Sequence, residues 1–263
     1  MKRILITGGP TNEFIDEVMK ITNMSSGRVA VELADYFVDA GYDVTLLLTK
    51  GIKHYRLDPL GLKENFALMR FETTEELLTA METCATMAQY DLVIHSAAVA
   101  DYKPEFSFRA EDMASEILGY IMRNQEAIAE GFVKQEDVYD SLFEILTNPN
   151  CKVNDDTKIS SVEPNLTVKL GLTPKIIASL RKMFPDAVIC GFKLLENVPE
   201  QELIDAALKQ IAKCNTDFCF ANDLAQLRQG NYDRLVIKPN GYAGEKVTGA
   251  LGIFRFLQQC LDK

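Results

Sequence analysis

Five short apolar runs, residues 4–6, 44–48, 92–94, 187–190 and 218–221, recur along the chain with helix-period segments between them. Uninterrupted runs of that length belong to strands buried on both faces. The segments between them space their apolar residues for helices. Val29, Leu33, Phe37 and Val38 precede Gly41; Leu77, Met81 and Met87 form a second set; Ile176, Ile177 and Leu180 follow Pro174; Leu203, Ala207, Leu208 and Ile211 precede Asp217. Strand and helix in alternation predict an α/β fold with a doubly wound, mostly parallel sheet. Such sheets bind ligands beyond the carboxyl ends of their strands, which directs attention to the loops after residues 7, 97 and 191.

Two segments break this rhythm. In residues 105–156, Met113, Ile117, Ile121 and Ile128, then Val138, Leu142 and Ile145, predict two amphipathic helices bounded by Asn148-Pro149. This stretch reads as a helical insertion within one domain spanning residues 1–263. Near the end, 234–238, the turn Pro239-Asn240-Gly241 and 245–247 predict a C-terminal hairpin before a last helix over 250–261.

Charge narrows the function classes. The chain holds 28 Lys and Arg against 38 Asp and Glu, a net charge of −10, and 12 acidic and 4 basic residues fall within 105–156. Without a broad basic stripe, a nucleic-acid partner is not expected, although a single anion-binding cleft is compatible with this balance. The six cysteines show no Cys-x-x-Cys pairing and read as reduced thiols, which implies a cytoplasmic setting. No leader pattern precedes Ile4 and no apolar run approaches the ~20 residues of a membrane span, so no membrane partner is expected.

The first strand ends in Thr7-Gly8-Gly9-Pro10-Thr11, and the next helix starts only near Ser25-Ser26-Gly27. Loops of this length at strand ends are commonly binding loops, and glycines with a helix N-terminus suit a phosphate. The pattern is not Gly-x-Gly-x-x-Gly, and Leu48-Thr49-Lys50 stands where a ribose-binding acid would be. The third run continues into His95-Ser96-Ala97-Ala98-Val99-Ala100-Asp101, whose small residues leave room for a flat ligand and whose Asp101 can accept from a hydroxyl. His95 by itself reads as a core histidine. With His54 and His95 the chain's two histidines, neither a histidine metal cluster nor a Ser-His-Asp triad is expected, so any nucleophile comes from a substrate.

Taken together, Ile6 through Asp16, Ile21-Thr22-Asn23-Met24-Ser25-Ser26-Gly27-Arg28, Ala97 through Pro104, Lys158-Ile159, Gly191-Phe192-Lys193 and Ala221-Asn222-Asp223 resemble the phosphopantothenate cysteine ligase family. The resemblance spans nearly the whole chain outside 105–156. It implies a Rossmann-like, stand-alone bacterial ligase, with Met1 standing directly before the first ligase strand. Its reaction would activate 4'-phosphopantothenate with CTP or ATP and Mg²⁺ as an acyl nucleotidylate, which the amine of L-cysteine then attacks. The resemblance assigns Asn23 to the intermediate, as a donor to its acyl carbonyl, and Lys158 to the nucleotide and the developing oxyanion. It assigns Ala98 and Asn222, with Asn23, to the substrate. To the nucleotide it assigns Gly8, Gly9, Ser26, Gly27, His95, Ser96, Ala97, Asp101, Lys158, Gly171, Leu172, Thr173, Pro174, Phe192, Lys209 and Lys213. It also implies a homodimer, and the apolar stripes of 105–156 at Ile117, Ile121 and Leu142 supply a candidate contact.

Two positions depart from the family pattern. Lys158-Ile159-Ser160-Ser161 stands in place of a lysine-rich run, and Met19 in place of an arginine. Two other readings compete. A short-chain NAD(P) reductase would need Tyr-x-x-x-Lys on a helix, and Tyr242 to Lys246 is the match available. A non-enzymatic nucleotide-binding scaffold would use the acidic insertion to recruit a partner.

Overall fold

A computed structural model describes residues 1–53, 64–153, 158–160, 162 and 164–262; His54 lies outside the described residues. In chain order the elements begin with β1 (Arg3–Gly8), β2 (Asn12–Phe14), β3 (Lys20–Thr22), α1 (Arg28–Asp39), β4 (Asp43–Thr49), β5 (Phe66–Phe71), α2 (Thr74–Met87) and β6 (Leu92–His95). Next come β7 (Tyr102–Arg109), α3 (Ala110–Arg123), α4 (Gln125–Ala129), α5 (Gln135–Thr147), β8 (Lys152–Val153) and β9 (Leu166–Leu172). The chain closes with α6 (Ile176–Met183), β10 (Val188–Leu195), α7 (Glu200–Cys214), β11 (Phe218–Asp223), α8 (Leu224–Arg228), β12 (Asp233–Lys238), β13 (Gly241–Thr248) and α9 (Gly249–Leu261). No helix among the described residues is long and apolar enough to cross a membrane.

The chain divides into two compact units. The first comprises residues 1–12, 22–101 and 174–263; the second comprises 13–21 and 102–173. The expected insertion therefore falls inside a larger second unit, which also takes in the short segment after β1.

An eight-stranded sheet in the order β13-β12-β11-β10-β6-β1-β4-β5 forms the first unit. β1, β4, β5, β6, β10 and β11 run parallel, and the hairpin β12–β13 adds antiparallel strands at one edge. Alternate residues feed opposite faces. Ile4, Ile6, Leu92, Ile94, Cys190, Phe220 and Val236 meet α1 and α9 on one face. Leu5, Val93 and Ile189 meet α2 and α6 on the other, where Cys219, Ala221, Leu235 and Ile237 also pack against α7. The doubly wound arrangement is therefore present, and the five apolar runs are its central strands.

Several details differ from the sequence reading. β5 precedes β6, which makes residues 92–95 the fourth strand of this sheet in chain order rather than the third. β5 lies at the sheet edge with part of its surface open, and its apolar run over residues 66–69 is a strand that the sequence reading did not include. Met87, expected on the buried face of α2, is exposed, because it sits in the last turn, past the residues that meet the sheet.

The second unit is not purely helical. Residues 102–109 form β7 at the centre of the antiparallel sheet β8-β7-β9, with Tyr102 opposite Leu172 and Arg109 opposite Leu166. β7 and β9 are half-exposed and interleave Lys, Glu, Thr and Ser with apolar residues, which hides them from a search for apolar runs. The predicted stripes of α3 and α5 are only partly covered: Met113 is buried, Ile117, Val138, Leu142 and Ile145 half-buried, and Ile121 exposed.

Candidate active site

At the carboxyl ends of β6 and β10, the first unit opens a cleft of about 670 Å³ lined by His95, residues 97–101, the start of α6, residues 192–194, the second half of α7, and Asn23. Parallel strands end here because the chain must leave the sheet for the next helix, so backbone and helix ends converge. Ala97, Ala98 and Ala100 leave one wall flat. Gly191 allows the cleft to form at its floor. A Cβ there would come within 2.8 Å of Gln210 Nε2 and of Ile177 Cδ1, two side chains that line the cavity.

Charge at the cleft is positive. Lys175, Lys193, Lys209 and Lys213 line it, with Asp101 as the opposing carboxylate, and Lys175 pairs with Asp101. Lys209 and Lys213 are one helical turn apart on α7 and exposed, the geometry of a cradle for phosphates. Phe192 adds a half-buried ring packed at 5.4 Å against Phe220. Cys214 also faces the cleft, and burial pushes its thiol pKa up, against a smaller opposing pull from Lys213.

The loop that carries the flat wall is tied to β1. Ser96 Oγ donates to Thr7 O (2.7 Å), Ala98 N to Gly9 O (2.9 Å), Ala100 N to Thr11 Oγ1 (2.9 Å), and Thr11 N to Ala98 O (3.2 Å). His95 Nδ1 lies 2.9 Å from Thr7 Oγ1, and burial alone lowers its pKa to about 4. Thr7 Oγ1 also accepts from Ala97 N (3.3 Å), so one hydroxyl ties both the ring and the loop backbone to β1. His95 is thus a neutral imidazole, both a satisfied core residue and a wall of the cleft. Ser96 turns its hydroxyl to the backbone.

Asn23 is tied into the flat wall. Its Nδ2 donates to Ala98 O (3.2 Å) and Val99 O (3.0 Å), two carbonyls that fix which end of the amide is nitrogen. Both amide hydrogens are therefore committed, and what Asn23 offers a ligand is the acceptor Oδ1 rather than the expected donor.

Gly8, Gly9, Ser26 and Gly27 do not line this cleft. They gather at the start of α1, on the face of the sheet opposite α6 and α7. A Cβ on Gly8 would lie 2.1 Å from Ala30 Cβ, and one on Gly9 2.4 Å from Thr49 Oγ1. Gly27, at φ 67°, enters the helix with no side-chain cap and no acidic residue in the first turn. Arg28 stacks over Tyr232 at 5.2 Å. Arg234, opposite Asn222 by strand register, is only 6% exposed, and its Nε has no hydrogen-bond partner among the described residues. Burial, and then the charge of Arg28, lower its pKa. Arg28 N donates to Ser26 Oγ and Gly27 N to Ser25 Oγ, each at 3.4 Å, so serine hydroxyls and two arginines meet at this helix start. Asn222 itself is buried beside a smaller opening, and the neighbouring Asp223 caps α8 through Ala225 N and Gln226 N.

Lys158, Gly171, Leu172 and Thr173 belong to the second unit, and Pro174 starts the next segment of the first. Gly171 lies under Glu105, whose side chain occupies the place a Cβ would take. Lys158 is exposed and precedes the buried Ile159. Asp16 joins that segment: Oδ1 accepts from Val18 N (2.7 Å) and Met19 N (2.6 Å), and Oδ2 from Ile159 N (2.9 Å). The Met19 and Ile159 amides, more than the charge of Lys158, hold its carboxyl below the ordinary range. The second unit also has a wider opening of about 830 Å³, but Asp112, Glu116, Asp140 and Glu144 line it.

Lys175, Lys193, Gln210 and Cys214 were not apparent as site residues from the sequence. Gly191 was the available signal for Gln210, and the motif Gly191-Phe192-Lys193 for Lys193; Lys175 had none. Tyr242 and Lys246, the candidate reductase pair, fall on β13 rather than on a helix, and Lys246 Nζ pairs with Glu200 at 3.1 Å.

Fold and cleft together define an α/β protein with a lysine-lined site at the carboxyl edge of a mostly parallel sheet. Residues 1–123 match the family model described as DNA/pantothenate metabolism flavoprotein C-terminal domain. Among curated proteins, the Coenzyme A biosynthesis bifunctional protein CoaBC of Thermococcus kodakarensis is 32% identical over 85% of this chain and 41% of that protein. The protein of the same name from Methanocaldococcus jannaschii is 30% identical over 94% of this chain and 47% of that protein. The chain thus spans less than half the length of these two relatives. Among solved structures, the DNA/pantothenate metabolism flavoprotein from Streptococcus pneumoniae superposes with a TM-score of 0.73 at 27% identity, covering 100% of this chain and 99% of that one. Residues 1–123 thus carry this C-terminal domain's pattern, and the resemblance to phosphopantothenate cysteine ligases is borne out.

Proposed function

We propose that this chain joins 4'-phosphopantothenate to L-cysteine in coenzyme A biosynthesis, with CTP, or else ATP, and Mg²⁺ as co-substrates. The observation that carries the reading is the pairing of a flat alanine wall with four lysines in one cleft, next to an asparagine tied into that wall. An oxygen of the acid's carboxylate attacks the α-phosphorus of the nucleotide, and pyrophosphate leaves. The amine of cysteine then attacks the acyl carbon, and the nucleoside monophosphate leaves with the electron pair of the broken C–O bond.

In this scheme Lys209, Lys213 and Lys193 hold the polyphosphate, Phe192 and Ala97 flank the base and sugar, and Asp101 accepts from a hydroxyl. Asn23 Oδ1 accepts from an N–H of the acid, and its amide keeps the 98–99 backbone in place. The α1 N-terminus with Arg28 and Arg234 takes the acid's phosphate, which moves Ser26 and Gly27 from the nucleotide to the substrate. Lys158 supplies a cation to the oxyanion that develops in the first step. No protein nucleophile takes part. The free thiols of all six cysteines support a reducing, cytoplasmic setting. Exposed Leu118, Ile121, Met122, Tyr139 and Phe143 on α3 and α5 support a homodimer through the second unit.

Pyrophosphate release with each of the four nucleoside triphosphates, with and without the acid and cysteine, tests the reading. Release that requires the acid, is greatest with CTP and yields a cysteine adduct is expected; acid-independent release overturns it. Lys158→Ala and Lys158→Gln are expected to lower acid-dependent release by roughly 10²- to 10³-fold with the fold intact. A reductase would instead gain thermal stability from NADPH rather than from CTP with Mg²⁺, and a scaffold would release no pyrophosphate.

A further inference from the structure

Asp16 is an unusual carboxylate for a loop. It is 4% exposed, and both of its oxygens accept backbone hydrogen bonds from two separate stretches of chain. One oxygen closes the turn at 16–19, where Ile15 N and Asp16 N also donate back to Met19 O at 2.9 and 3.3 Å. That turn is rigid by local bonding alone. The other oxygen reaches across 143 positions of sequence to the amide of Ile159, the residue directly after Lys158. Ile159 is held a second time by its side chain, which is 4% exposed.

From this geometry we propose that Asp16 is a positioning residue for Lys158, pinning the backbone beside the lysine so that its ammonium is presented in one place during nucleotidyl transfer. This rests on the role given to Lys158 above. The local sequence sharpens the need. Lys158-Ile159-Ser160-Ser161 offers one lysine, and a single cation on an exposed segment helps a transition state only if its position is fixed. Charge adds to the pinning, because Lys158 lies close enough to Asp16 to stabilise the carboxylate.

The carboxylate matters because both oxygens are used. In Asp16→Asn the amide keeps its carbonyl on the Val18 and Met19 amides, which sets its NH₂ against Ile159 N–H, two donors facing each other. The turn survives and the tether is cut. Asp16→Asn in the full chain is expected to lower acid-dependent pyrophosphate release about 10- to 100-fold while the nucleotide KM moves less than about threefold. Hydrogen exchange at the Ile159 amide should accelerate in the same variant. In a Lys158→Ala background, Asp16→Asn should cost less than about a further twofold, since the group it positions is gone. Wild-type turnover in Asp16→Asn with faster exchange at Ile159, or an equal loss in both backgrounds, overturns the proposal while leaving Lys158 in its role. Wild-type turnover in Lys158→Ala alone removes that role, and the positioning argument falls with it.

Discussion

The two units each hold an opening large enough for a nucleotide, and they differ in almost everything but size. The wider, about 830 Å³, lies between α3 and α5 and is lined by four carboxylates with Arg123 as its cation. The narrower, about 670 Å³, lies where parallel strands end and is lined by four lysines and one aspartate. An anionic ligand is repelled by the first and drawn to the second, so charge and volume favour different openings. Backbone order differs as well. The lysine-lined cleft is walled by a loop hydrogen-bonded along its length to β1 and its following loop, whereas the acidic opening is walled by surfaces of two helices. Small ligands are recognised by fixed polar groups, and the cleft is the place that supplies them.

Reversing the charges is the strongest way to break this contrast. Lys209→Glu with Lys213→Glu should weaken nucleotide binding by more than about a hundredfold, at roughly tenfold or more for each lost charged contact. Asp140→Lys with Glu144→Lys in the other opening should leave binding within about twofold. Titration calorimetry on both double variants decides it; comparable losses would mean that the acidic opening takes part.

Asn23 probes the wall itself. Asn23→Asp removes both donors to Ala98 O and Val99 O and sets a negative charge against two carbonyl oxygens, so turnover should fall by roughly 10²-fold. Turnover like the wild type would reduce Asn23 to a loop residue.

A smaller effect follows from His95. Its folded pKa is depressed from 6.5 to about 4 by burial, so the unfolded chain binds the additional proton. The stability it contributes is fully present above pH 6.5 and is lost as the pH falls towards 4. The thermal midpoint should therefore drop across that window, and His95→Asn should flatten the drop. An unchanged slope in the variant would place the titrating group elsewhere. Asp16 has the same sign, and its share is lost only below its ordinary value of 3.8.

The smallest expected effect concerns the outer face of the second unit. Leu118→Glu with Met122→Glu alters exposed side chains and should change stability by only about 0.5 kcal/mol, yet halve the mass seen by light scattering if two copies meet there. A wild type already monomeric at micromolar concentration would end the dimer reading. Ile117 and Leu142, half-buried, are poorer choices, because a charge there would disturb the unit itself.

How much was legible depended on burial. β1, β4, β6, β10 and β11 are covered on both faces, and their apolar runs marked them within a few residues. β7 and β9 are partly open, and mixed patterns concealed them. At the site, Ala97, Ala98, Asp101, Phe192, Lys209 and Lys213 converge on the cleft with Asn23 and His95. The glycines of the first loop did not, because Gly8 packs closely against Ala30 and Gly9 against Thr49. Lys175 escaped notice because a lysine after a proline looks like any solvated residue until the fold sets it beside Asp101.

Cys214 has a further consequence. The acyl nucleotidylate of the proposed reaction is an electrophile, and a cleft that made one would have to survive it. A thiolate at its wall would compete with the incoming amine and leave the protein acylated on sulfur, a dead end after one turnover. Burial keeps Cys214 as the thiol, whose sulfur is a poor nucleophile. In the proposed reaction the cleft would then hold its intermediate while cysteine is scarce, and the acyl group would pass to the sulfur compound that arrives from solution and offers nitrogen.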